Sequence, residues 1–286
     1  MGQPLEGRAE AEAADGRILA ITRFRAKGEP WATMLVAGAM GVRQDFYAPV
    51  ARFFAENGVH ALTFDYRGMG ASRKEPLSRE TATVTDWAHR DMNAMLGEAW
   101  RAAPDLPLMV LGHSLGGQIV GILPDNAQVR AVIGVTAGSG WYKHNERMRL
   151  RVRFFWHVMM PALTPVFGYF PGRRLRMVGD LPRGVADQWR RWCLHPDYLL
   201  SEGDEACEAY RRLAAPMLSY SFEDDEMLTR AAVDALMRHY SSSAITRRHV
   251  TPAEIGARRV GHFGYFAEAS RDTLWRESLA WLRETV

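Results

Sequence analysis

Short, largely apolar runs alternate along this chain with longer segments in which apolar residues return every three or four positions. The runs lie at 33–37, 60–64, 107–111 and 129–135. Between them, residues 46–57 read as a helix stopping at Gly58, and residues 86–102 as another carrying Trp87, Met92, Met95, Leu96 and Trp100. A strand that is apolar on both sides is shielded on both sides, which is the condition of a parallel sheet covered by helices. The intervening segments are long enough for parallel crossovers. This rhythm stops after Val135. Residues 137–215 show no strand alternation and are rich in Trp, Phe, Tyr, Met and Arg, punctuated by Pro161, Pro165, Pro171 and Pro182. It resumes with a strand at 216–222, a helix at 228–240, a strand near 244–250 and a last helix at 272–284. The pattern predicts an α/β protein with a doubly wound, mostly parallel sheet built from 1–136 and 216–286, and a helical cap inserted at 137–215.

Composition narrows the class. The 286 residues are 47% hydrophobic, enough for a sizeable core without disulfides or metals. The 36 basic and 33 acidic residues leave a net charge of only +3, not the basic stripe of a nucleic-acid binder. Cys193 and Cys207, the two cysteines, form no metal-ligand spacing, so a reducing compartment is expected. Residues 1–15 lack the apolar core of a signal peptide, and Glu6 stands where N-myristoylation needs Ser or Thr. The most apolar stretch, 154–170, is interrupted by His157, Pro161 and Pro165, short of the ~18 apolar residues of a membrane span. The expectation is a cytoplasmic protein with no stable membrane insertion.

Gly112-His113-Ser114-Leu115-Gly116 is a G-x-S-x-G pattern between the apolar run ending at Leu111 and the helix start at Gly117-Gln118. That placement gives the motif its meaning. A serine on a sharp strand-to-helix turn presents its hydroxyl clear of the backbone, and flanking glycines let strand and helix pass closely. The helix N-terminus behind it offers free N–H groups to a developing oxyanion. Ser114 is therefore the candidate nucleophile.

With Asp65-Tyr66-Arg67-Gly68-Met69-Gly70-Ala71-Ser72, which looks like a D-x-R-G-x-G-x-S turn, this elbow resembles the α/β-hydrolase superfamily. The resemblance is greatest to its monoacylglycerol-lipase and serine-aminopeptidase-like branch, and closer still to a set of bacterial predicted hydrolases. It covers nearly the whole chain outside the cap. In that fold the chain order is serine, acid, histidine. Order removes His60 and His89; His113 adjoins the nucleophile; His144, His157 and His195 fall in the cap; His239 and His249 sit in a helix and a strand. His262 remains, in Val260-Gly261-His262-Phe263-Gly264, the kind of loop that holds the family's catalytic histidine. The family's acid follows the strand ending at Phe222. A G-x-x-D-x-[IV]-[VL] pattern laid over 222–228 picks Asp225, but Phe222 replaces the usual Gly, so Asp224 stays as the alternative. For the oxyanion hole, the resemblance implies the N–H of Leu115 and one from Gly38-Ala39-Met40-Gly41, where relatives often have His-Gly-x-Gly. Counting back from Tyr47 places Met40 at the donor, with Ala39 as the alternative.

Trp141, Trp156, Trp189, Trp192, Phe154, Phe155, Phe167 and Phe170 give the cap an aromatic character suited to a pocket for an acyl or aryl group. The arginines at 147, 149, 151 and 153 add attraction for an anionic substrate or an acidic membrane surface. The function expected is cleavage of a small-molecule carboxylic ester through an acyl-enzyme, with no cofactor and no metal. Aminopeptidase or amidase, thioesterase and acyltransferase chemistry can run on the same triad. A non-catalytic binding protein is disfavoured by retention of all three groups, and the oligomeric state is not encoded in these motifs.

Overall fold

The computed structural model describes residues 5–145 and 149–286; Arg147 lies outside the described residues. The strands are β1 (Glu6–Glu12), β2 (Ile18–Phe24), β3 (Ala32–Ala37), β4 (Val59–Phe64), β5 (Leu108–His113), β6 (Ala131–Val135), the two-residue β7 (Tyr169–Phe170) and β8 (Leu181–Pro182), β9 (Met217–Phe222) and β10 (Ile245–Val250). Eight of them form one sheet in the order β1-β2-β4-β3-β5-β6-β9-β10, parallel from β4 to β10 and antiparallel at β1 and β2. The register aligns Ala37 with Gly112, His113 with Val135, and Val135 with Tyr220. The carboxyl ends of β3, β5, β6 and β9 therefore share one edge, where ligand sites of open α/β sheets form.

The first two strands depart from the sequence reading, which began the sheet at residue 33. In β1 the half-buried positions are Gly7, Ala9 and Ala11, alternating with exposed Glu and Arg. Side chains that small give almost no hydrophobic signal, and pairing with β2 holds the strand in place.

Both sheet faces are covered, as the two-sided apolar strands require. Along β3, Leu35 and Ala37 face one core while Met34 and Val36 face the other. On the second side pack α1 (Ala48–Glu56), through Val50, Phe53 and Phe54, and α10 (Arg276–Thr285), through Leu279 and Leu282. On the first side, α2 (Val84–Asp86), a π-turn over Trp87–Met92 and α3 (Asn93–Ala102) make one continuous helical run. Here Tyr66 stacks on Trp87 at 4.9 Å, worth about 0.5–1.5 kcal/mol beyond area burial. α4 (Leu115–Ile119) starts directly at the elbow, and α9 (Arg230–Met237) follows β9.

Between β6 and β9 the chain is mostly helical, with α5 (Arg149–Phe154), a π-turn over Phe155–Met159, α6 (Met160–Phe167), the paired β7 and β8, α7 (Arg183–Leu194) and α8 (Asp204–Arg212). Phe155, Trp156, Phe170 and Trp192 join the same apolar core as α3 and α4. Polar ties reinforce the contact. Tyr198 donates to Gln118 Oε1 at 2.8 Å, and Thr85 N–H donates to Gln188 Oε1 at 3.0 Å. Phe154, one of the aromatics that suggested an apolar pocket, is exposed. No helix among the described residues is long and apolar enough to cross a membrane.

Candidate active site

Ser114 has φ +48° and ψ −112°, a region that non-glycine residues rarely occupy. Its N–H donates to Val135 O at 2.9 Å, fixing the turn against β6. Close backbone approach explains the flanking glycines. A Cβ on Gly112 would collide with the Gly117 backbone, and one on Gly116 with the Ala37 carbonyl. As the first residue of α4, Leu115 has an N–H with no intrahelical acceptor.

Asp225 and His262 are both buried, with Asp225 Oδ2 2.9 Å from His262 Nδ1. A carboxylate only accepts, so Nδ1 carries the hydrogen of this bond and Nε2 is left for another partner. The other carboxylate oxygen, Oδ1, accepts from Met227 N–H at 2.7 Å and Leu228 N–H at 2.9 Å, which holds the acid in position. The neighbouring Asp224 does different work: its two oxygens accept from Val260 N–H and Gly261 N–H, both at 2.9 Å. Asp224 thus ties down the turn immediately before His262, while Asp225 meets the ring. No hydrogen bond joins Ser114 Oγ to His262 among the described contacts.

The loop after β3 is tied to the histidine loop through buried groups. Ala39 N–H donates to Tyr47 Oη at 2.7 Å, Tyr47 Oη lies 2.9 Å from His113 Nδ1, and His113 Nε2 lies 3.0 Å from the His262 carbonyl. The carbonyl can only accept, so Nε2 bears the hydrogen. Burial, then the neighbouring His262, hold His113 well below the ordinary histidine range, so the ring is neutral and Nδ1 accepts from the Tyr47 hydroxyl. Burial likewise pushes the Tyr47 phenol far up, keeping it protonated. Ala39 N–H is committed to Tyr47. Met40 N–H donates to no group among the described hydrogen bonds.

The Asp65–Ser72 turn supports this loop from below. Asp65 accepts from Gln44 N–H and Ala71 N–H, each at 2.9 Å, and Ser72 Oγ donates to Asp65 O at 2.6 Å. Arg67 pairs with buried Asp91 at 2.6 Å and with Asp15 at 2.7 Å. From above, Gly41 (φ +75°) meets Gly179 of the β7–β8 loop so closely that a Cβ on Gly41 would lie 2.5 Å from Gly179 N.

Sequence reasoning named Ser114, Leu115, Met40, Asp225 and His262 as candidates, and did not single out Tyr47, the contacts of His113, Asp224 as a brace, or Thr136. Thr136, buried at the end of β6 with φ +47°, is a second strained residue beside the elbow. Only the adjacency of Asp224 to Asp225 and of His113 to Ser114 hinted at two of these roles. Among the described residues no group of His, Cys, Asp and Glu is arranged to hold a metal ion.

Residues 28–179, just over half of the chain, match the family described as serine aminopeptidase, S33. Similar solved structures include a soluble variant of monoglyceride lipase from Saccharomyces cerevisiae, 13% identical with a TM-score of 0.71 over 99% of this chain and 96% of that one. An esterase of Pyrococcus furiosus is 12% identical with a TM-score of 0.64, over 98% and 91%. The esterase domain of a Rhodothermus marinus protein is 17% identical with a TM-score of 0.59, over 98% of each chain. At these identities the structural likeness concerns the fold. With the family match, it establishes that this chain is an α/β-hydrolase belonging to the serine aminopeptidase S33 family.

Proposed function

We propose that the protein cleaves carboxylic esters through an acyl-enzyme on Ser114, with His262 as base and Asp225 as its orienting acid. The observation that carries this reading is the enclosed Asp225–His262 pair, which holds the imidazole in the tautomer a serine needs. His262 Nε2 takes the Ser114 hydroxyl proton as Oγ attacks the ester carbonyl. The N–H groups of Leu115 and Met40 receive the oxyanion. Collapse of the tetrahedral intermediate breaks the ester C–O bond, and the leaving alkoxide departs as alcohol with the proton returned from Nε2. Water, deprotonated by the same nitrogen, then releases the acid and restores the serine. The committed Ala39 N–H favours Met40 as second donor. In this reading residues 137–215 serve as the cap over the site, its aromatic residues favour a largely apolar acyl or aryl group, and no cofactor takes part.

The family description supports a second reading, release of an N-terminal residue from a peptide. Such a substrate brings an ammonium group that needs a free carboxylate. The acids nearest the triad are engaged elsewhere: Asp224 with the 260–261 turn, Asp225 with His262, and Glu226 with Arg259 at 3.0 Å. The ester reading is therefore preferred. A panel of p-nitrophenyl esters and aminoacyl anilides, wild type beside Ser114→Ala, separates the two: ester turnover lost in the variant is expected. Anilide turnover alone would transfer the assignment to the aminopeptidase reading. A fluorophosphonate should label Ser114, and undiminished labelling of Ser114→Ala would remove it as nucleophile.

A further inference from the structure

The helical run from α5 to α6 carries large apolar residues on its outward side as well as its inward one. Its inward side buries Phe155, Trp156 and Met160. Its outward side leaves Leu150 79% exposed, Phe154 54% and Val158 49%, at successive four-residue steps, and Val166 further along is 77% exposed. The outward row is an apolar stripe flanked by exposed Arg151, Arg153 and His157, and it has no cover among the described residues. The row is too long to count as scattered surface hydrophobes.

Charge selects the partner. Residues 141–177 contain eight Lys and Arg against a single acid, a net of +7 on a chain whose total is only +3. Arg151, Arg153, Arg173, Arg174 and Arg176 make no ion pair among the described residues, whereas Arg183 and Arg191 further on pair with Asp187 and Glu202. The Arg174 guanidinium lies 5.4 Å over the Phe167 ring, which places the β7–β8 loop and its arginines beside the end of the apolar helix. A second copy docked on this face by two-fold symmetry would set like charges against each other. An anionic bilayer offers both counterparts, headgroup charge for the arginines and acyl chain for Leu150, Phe154 and Val158.

We infer that the outward face of α5–α6 docks onto the surface of a bilayer carrying anionic lipid, lying in the interface without crossing it. This docking is independent of which bond the enzyme cleaves. The same β7–β8 loop touches Gly41 through Gly179, so the docked face lies one backbone contact away from the candidate oxyanion loop.

Co-sedimentation of the full chain with vesicles tests the inference, using phosphatidylcholine alone and phosphatidylcholine mixed with phosphatidylserine. Binding is expected to the mixed vesicles only, weakening as salt is raised. Arg151→Gln with Arg153→Gln should weaken it about fivefold per arginine. Leu150→Ser with Phe154→Ser should weaken it at least about tenfold. Unchanged thermal midpoints would show that both variants fold. Equal binding to both vesicle types, no binding to either at low salt, or full binding by the Leu150/Phe154 variant would overturn it. A wild-type dimer in sedimentation velocity that the Leu150/Phe154 variant abolishes would overturn it too, by assigning the face to a second copy.

Discussion

Asp224→Asn isolates the brace before His262 from the chemistry of the triad. The carboxylate accepts two backbone N–H bonds at 2.9 Å, from Val260 and Gly261. Hydrogen bonds to a charged group contribute about 1.5–3 kcal/mol each. Asparagine keeps one acceptor oxygen and turns its amide nitrogen toward the other N–H, so one bond is lost and two donors face each other. A loss of about 1.5–3 kcal/mol in holding the turn corresponds to a tenfold to hundredfold smaller population of the competent loop. Because Asp224 touches neither the imidazole nor the candidate nucleophile, kcat should fall by about that factor while KM stays near wild type. Asp225→Asn should cost about 10³–10⁴-fold, since an amide favours the wrong tautomer and cannot stabilise the imidazolium. Steady-state rates on a p-nitrophenyl ester, with thermal midpoints for each variant, make the comparison. Wild-type kcat in Asp224→Asn would refute the brace. Equal losses in the two variants would refute the division of labour between the two carboxylates.

Three further outcomes are expected. Tyr47→Phe leaves the Ala39 N–H and His113 Nδ1 unpaired in a buried setting, so urea unfolding should report a loss of about 1–3 kcal/mol; an unchanged midpoint would show that these groups find other partners. His113 is held neutral in the fold but takes a proton near its ordinary 6.5 when unfolded, so stability rises with pH up to that value and is lost as pH falls below it. In chemical denaturation from pH 5 to 8, the wild type should lose about 1.4 kcal/mol per pH unit more than His113→Gln on the acid side, and parallel curves would contradict the buried neutral ring. Gly179→Ala drives a Cβ into the Gly41 carbonyl and should destabilise the protein by about 1–3 kcal/mol; a neutral melt would show that the β7–β8 loop is free to withdraw.

Much of this architecture was legible because parallel strands carry their own label. The runs ending at Ala37, Phe64, Leu111, Val135 and Phe222 are apolar on both sides and too short for helices, and the structure makes strands of them. β1 escaped because Gly7, Ala9 and Ala11 bury too little to show in a hydrophobic pattern. The elbow was legible because Gly112 and Gly116 are demanded by backbone clearance, a constraint visible in the residue types. The choice between Asp224 and Asp225 was not, since two adjacent carboxylates look alike until their partners are known, and those partners lie 36 to 37 residues away. The Tyr47–His113–His262 connection spans separations of 66 and 149 residues, and nothing local marks it. Phe154 shows the reverse: an aromatic residue counted toward the apolar character of the cap stands in solvent, because composition does not say which side of a helix a residue takes.

The meeting of Gly41 and Gly179 carries an implication for how such a protein can be remodelled. It is a seam of main chain against main chain, with no room for a Cβ on either glycine. The segment around Gly179 could exchange its exposed arginines and still seat at the same depth, provided the two glycines and the packed Leu175 and Val178 stay. Surface attachment could then be redesigned by grafting β7–β8 loops of different surface charge onto one unaltered hydrolytic centre.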